Sequence, residues 1–220
     1  MKKYLAFVIM VTLFSCEGKK EIELPKADQT IVADVQEHSP IYIFFKVDGK
    51  DTIADVNRKN SIVSTNWIFN IDKRLPLRLV VPALIKLQAK KDGSMHKNEA
   101  AENYFSYAND VKKTMAFLPF TKVKYHLNLP KVFRLGIIFG KKEVACFGKE
   151  TLIFNSKTLT KKQLADYIAQ IKDCKDKEIT LIFEKNYSYQ KYIQYKIDLL
   201  DLIKNTDKSL SNEEYVFNKM

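Results

Sequence analysis

Residues 177–203, KEITLIFEKNYSYQKYIQYKIDLLDLI, constrain the fold of this chain more than any other stretch. Ile179 to Phe183 form a short apolar run of β-branched and aromatic residues, the pattern of a strand covered on one or both faces. Glu184-Lys185-Asn186 ends it with turn-forming polar residues. Ser188 can accept a hydrogen bond from a free backbone N–H and so cap a helix. Tyr189, Tyr192, Ile193, Lys196, Ile197, Leu200 and Ile203 then recur at three- and four-residue spacing, with Gln190, Lys191, Gln194, Asp198 and Asp201 predicted to face water. Burying such a stripe is worth about 1.5–3 kcal/mol per large side chain. The stretch therefore predicts a strand with a helix laid on its sheet.

The same pattern occurs once more upstream. Trp67 to Gln88 can be laid on Ile179 to Leu200 without a gap. Asp72-Lys73 then falls on Glu184-Lys185, Leu75 on Tyr187, Pro76 on Ser188 and Leu77 on Tyr189. Few identities survive, so the match is one of pattern. Around these two units the chain reads as an α+β protein of two-layer, sheet-and-helix domains. Pro40 to Val47 predicts a strand, Asp48-Gly49-Lys50 a turn, and Asp51 to Val56 the returning arm. Pro76 suits a helix start, and Pro82 is expected to kink or delay that helix. Glu99 to Val111 reads as a weaker helix and Met115 to Leu127 as a strand. Phe133 to Phe139 and Glu143 to Phe147 suggest a second hairpin. Thr160 with Gln163 fits a capping box, and Glu214 to Phe217 a last edge strand.

Ahead of both units, Met1-Lys2-Lys3 and the apolar run Tyr4 to Phe14 fit a secretion signal, the run being too short to span a bilayer comfortably. Leu13-Phe14-Ser15-Cys16 resembles the lipobox of bacterial lipoproteins, which implies acylation of Cys16 and a lipid anchor facing the periplasm. An ordinary signal peptide, or a marginal membrane helix, is the alternative. The expected division is a signal at 1–15, a polar tether at 16–37, and modules at 38–129 and 130–220. The formal charge of +11 is dispersed along the chain, which marks a solvated basic surface. An exported chain has no use for nucleic acid. Cys146 and Cys174 are a candidate disulfide in an oxidising compartment, with two buried thiols as the alternative.

Catalytic and metal-binding patterns are not found. The histidines His38, His96 and His126 lie far apart without partners at ligand spacing. Gly148-Lys149-Glu150-Thr151 lacks the features of a phosphate loop, and six glycines are too few for a cofactor cradle. No cofactor is expected, and no enzymatic activity. Asp72 with Lys73 and Glu184 with Lys185 read as loosely paired, exposed turn residues, each pair worth under about 1 kcal/mol. Tyr187 and Tyr195 fall off the apolar stripe and are the best candidates for exposed aromatics that stack on a sugar or a partner. Asp51-Thr52-Ile53 resembles a short O-glycosylation motif.

The second half resembles the periplasmic domain of the ExbD/TolR biopolymer-transport family. The resemblance rests on Phe133 to Phe139, Lys161 to Ile171, Ile179 to Lys185 and Tyr189 to Leu200, and more weakly on Ile71 to Leu77. It implies two tandem modules of that fold, with Asp72, Lys73, Glu184, Lys185, Tyr187 and Tyr195 on an interaction surface. Members of the family carry a transmembrane helix with an acidic residue for proton-driven work, and Tyr4 to Phe14 has none. The implied protein is a lipid-anchored, non-enzymatic companion of an ExbB/ExbD-type motor. A stand-alone peptidoglycan-binding lipoprotein is the alternative.

Overall fold

The computed structural model describes residues 21–128, 135–139, 143–146, 152–153, 160–171 and 177–217. Cys16 and Cys174 lie outside these, and with them the tests of lipidation and of a disulfide to Cys146. The described residues form two mixed sheets and three helices, an α+β fold.

Strands β1 (Lys26–Ala27), β2 (His38–Asp48), β3 (Asp51–Asn57), β4 (Asn66–Ile71), β5 (Asn103–Asn109) and β6 (Thr114–Pro119) build the first sheet. β2 and β3 are an antiparallel hairpin closed by the pair Asp48–Asp51. The loop between them, Gly49-Lys50, places Gly49 at φ 61°, a left-handed conformation in which a side chain would be strained. Thr52 of the short O-glycosylation motif stands beside this tip, opposite Val47. β4 runs parallel to β2, pairing Phe69 with Ile41, and parallel to β5, pairing Phe69 with Phe105. All three side chains are fully buried.

Strands β7 (Lys124–His126), β8 (Leu135–Phe139), β9 (Glu143–Cys146), β10 (Leu152–Ile153), β11 (Glu178–Glu184) and β12 (Ser209–Phe217) build the second sheet, in the order β10-β9-β8-β11-β12-β7. Helix α1 (Leu77–Asp92) follows β4, α2 (Lys161–Gln170) precedes β11, and α3 (Tyr189–Ile203) follows β11. The expected capping box is present on α2: Thr160 accepts from the Gln163 N–H, and the Gln163 side chain accepts from the Thr160 N–H. α1 begins at Leu77 and runs through Pro82 without interruption. One run of connections occurs in both sheets. β3-β2-β4-β5 and β9-β8-β11-β12 each comprise an antiparallel hairpin followed by two parallel neighbours, with α1 or α3 as the crossover.

A single hydrophobic cluster joins the sheets through the helices. Tyr192 of α3 meets Phe105 of the first sheet edge-on at 6.1 Å and Phe183 of the second at 5.1 Å. α1 and α3 thus contribute to one core with both sheets.

Three expectations are corrected here. The segment read as a helix over Glu99 to Val111 is strand β5. Its aromatic residues suit a pleated surface, and Phe105 stacks on Phe120 at 3.7 Å. The strand expected from Met115 to Leu127 breaks at Phe120, whose N–H bonds Asn103 O, and β7 leaves for the edge of the second sheet. The polar stretch expected as a tether is bound down from residue 23 onward. β1 pairs with β5 beyond the end of β4, and Val32 bridges to Phe117. The buried ring of Tyr107 holds this segment through its hydroxyl, which donates to Gln29 O and accepts from Ile31 N–H, both at 3.0 Å.

Candidate functional site

The two strand–turn–helix units meet at their turns. Each helix begins with backbone N–H groups that no carbonyl of its own helix can accept. Those of α1 are taken by the turn before α3: Leu77 N–H donates to Tyr187 O at 2.9 Å and Arg78 N–H to Lys185 O at 2.8 Å. Those of α3 are taken by the turn before α1: Tyr189 N–H donates to Leu75 O at 2.8 Å and Gln190 N–H to Lys73 O at 3.0 Å. Pro76 and Ser188 face each other between these bonds.

The acidic residue of the first turn is not exposed, contrary to expectation. Asp72 is 0 % exposed and pairs with Arg74 in place of Lys73. Its oxygens accept from Arg74 Nε at 2.8 Å, Arg74 Nη2 at 2.7 Å and Arg74 N–H at 3.0 Å, and more weakly from Glu23 N–H at 3.3 Å. Burial by itself would raise the Asp72 pKa, but these bonds outweigh it and hold the carboxyl below its ordinary range. Arg74 wins the partnership because its planar fork matches a carboxylate two residues back. Lys73 pairs with Glu23 at 2.9 Å instead. At the second turn Glu184 and Lys185 are half-buried, and Lys185 N–H bonds Phe217 O at 2.8 Å.

The expected exposed aromatics are likewise covered. Tyr195 is 3 % exposed, and Tyr187 is half-buried with its ring 6.2 Å from that of Tyr195. Burial first, then the neighbouring Tyr195 and Glu184, push the Tyr187 hydroxyl up to about 12. Trp67 is fully buried. The helical stripe underestimates burial because α3 is packed by both sheets, by α2 and by β1.

That covering also assembles a polar group inside the core. Lys196 Nζ lies 2.5 Å from Glu214 Oε1, Tyr192 donates to Glu214 Oε2 at 2.8 Å, and the Tyr125 and Tyr192 hydroxyls are 3.0 Å apart. All four residues are buried. The nearby Tyr189 hydroxyl is buried with no hydrogen-bond partner among the described residues.

A cleft of about 510 Å³ opens where β1, the end of β5, the start of α2 and the middle of α3 converge. Lys161 of α2 is held between Asp28 at 3.5 Å and Asp201 at 3.0 Å, and Lys26 pairs with Asp110 at 3.1 Å. Gln190 exchanges two 2.9 Å hydrogen bonds with the Lys26 backbone and fastens β1 to α3. Asp198 lines the same cleft. Expected on the water face, it is 5 % exposed, with neither a hydrogen bond nor an ion pair among the described residues. Burial, with Asp28 and Asp201 adding to it against the opposing pull of Lys161, raises its pKa to about 6. The only signal in the sequence is the run Gln190, Gln194, Asp198 at four-residue spacing, which marks one polar face without indicating what covers it.

Among the described residues no three His, Cys, Asp or Glu side chains are placed to hold a metal ion, and no helix is long and apolar enough to cross a membrane. No family model, curated protein or solved structure matches the chain.

Proposed function

We propose that this chain is a periplasm-facing lipoprotein, tethered through Cys16, that works by binding and not by catalysis. In this reading two modules of one sheet-and-helix fold lie in tandem and pair within a single chain, as an accessory subunit of an ExbB/ExbD-type energy-transducing motor. The observation that carries it is the reciprocal set of turn bonds, Leu77 to Tyr187 with Tyr189 to Leu75 and Arg78 to Lys185 with Gln190 to Lys73. Laying the first unit on the second turns each of these bonds into its counterpart, and the strand order around both units agrees. Such an arrangement offers a partner a paired surface built from one polypeptide, in place of two copies. The turn residues act in it as an internal seam, so the partner-facing surface lies elsewhere on the modules.

Capture of the tagged full-length chain from native membranes in mild detergent, followed by mass spectrometry, tests the assignment. Motor subunits in the eluate are the expected result. Recovery of muropeptides alone would replace it with the peptidoglycan-binding reading, which loses support from the burial of Tyr195. Cys16→Ala should release the protein to the soluble fraction or leave it unprocessed.

A further inference from the structure

We propose that the cleft around Asp198 binds an alkylammonium group. The chain carries a formal charge of +11, yet this cleft gathers Asp28, Asp110 and Asp198 against Lys26 and Lys161. Both lysines are already engaged: Lys161 by Asp28 and Asp201, Lys26 by Asp110. Asp198 is the one carboxylate left over, 5 % exposed and unpartnered among the described residues, on the wall of a cavity of about 510 Å³. Lys161 acts on Asp198 without pairing with it, being held by Asp28 and Asp201, and a buried carboxylate with no ion pair of its own is costly, so the cavity is completed by a further cation.

The acceptors favour a compact cation with several N–H groups. Asp198 and Gln194 stand one helical turn apart on α3, while Asp28 follows β1 and Asp110 follows β5. An ammonium carries three donors that rotate to meet acceptors from separate elements, whereas a guanidinium needs a planar pair. The acidic groups do not converge as a metal site would require. Charged groups reach Asp198 from every side: Lys161 from α2, Asp28 from beyond β1 and Asp201 from its own helix. Ionisation of Asp198 is required for the contact, so uptake strengthens as pH rises through about 6. The group can come from a free amine or from a lysine side chain of a peptide.

Isothermal titration of the full chain in mild detergent with butylammonium chloride and with Nα-acetyl-lysine methylamide, at constant ionic strength, tests the site. Saturable binding well above pH 6 is expected, weaker by about tenfold or more in Asp198→Asn and similarly weaker well below pH 6. Equal affinity for both probes would assign a free amine and tighter binding of the lysine derivative a peptide, each supporting the site. A circular dichroism spectrum matching the parent shows that Asp198→Asn remains folded, and Lys86→Gln, outside the cleft, controls for overall charge. No saturable binding of either probe overturns the proposal. So does binding indifferent to Asp198→Asn, or equal displacement by sodium or magnesium.

Discussion

Pro76 and Ser188 sit opposite each other in an antiparallel bridge at the point where the two helices begin. Both have extended backbone, φ −75° and ψ 149° for Pro76 and φ −71° and ψ 149° for Ser188. Each turn therefore supplies carbonyls to the other's helix, and neither helix start is left with all its donors open to solvent.

The side chains at this pair are not equivalent. Ser188 caps α3 by accepting from Lys191 N–H at 3.4 Å, while Pro76 caps nothing. Ser188→Ala should cost about 0.5–1 kcal/mol, the low end for a cap because the bond is long. Pro76→Ser adds a cap worth about 1 kcal/mol but frees the unfolded chain by about 0.4–1 kcal/mol, so its net effect should be near zero. Urea unfolding of both variants reads the contrast; equal losses would show that the bridge, and not the cap, sets the cost.

Asp72→Asn should destabilise by about 2–3 kcal/mol, since a charge-assisted bidentate pair in a buried position is lost while Arg74 keeps access to water. Because the folded-state pKa of Asp72 is lowered, its contribution is fully present above the unfolded value near 4 and lost as pH falls through the folded one. The gap between parent and variant in chemical unfolding should close on acidification. A gap independent of pH would assign the loss to packing.

Asp198 behaves in the opposite sense. Its pKa of about 6 in the folded chain exceeds the ordinary 3.8, so the folded state holds the extra proton between these values and stability falls as pH rises through that window. Without a bound cation, Asp198→Asn should stabilise the protein above pH 6 by on the order of 2 kcal/mol and have little effect below pH 4. Melting temperatures across that range decide it, and a variant less stable at neutral pH would contradict the assignment.

Tyr189 and Tyr192 are both fully enclosed but differ in what their hydroxyls meet. Tyr189→Phe removes a buried group with no partner among the described residues and should stabilise by about 1 kcal/mol. Tyr192→Phe removes a donor to Glu214 and should cost about 1.5–3 kcal/mol. The two opposite signs in equilibrium unfolding are the check.

Several elements were written plainly in local sequence. Gly49 announces the β2–β3 hairpin, Thr160 and Gln163 the start of α2, and the stripe from Tyr189 to Ile203 the apolar face of α3. The laying of Pro76 on Ser188 even matched residues that meet in space. These features depend on near neighbours along the chain, whose spacing is visible in one dimension.

Contacts between distant segments decided the remainder. Asn103 to Asn109 became a strand because β4 and β6 flank it, overriding a weak helical spacing. Residues 23–35 were fastened by Ala108, Phe117 and Tyr107, partners far away in sequence. Asp72 and Asp198, one satisfied and one orphaned, look alike on paper as acids in polar surroundings. Their different fates follow from what lies across the fold, and burial by a second layer leaves no periodic trace in the chain that is covered.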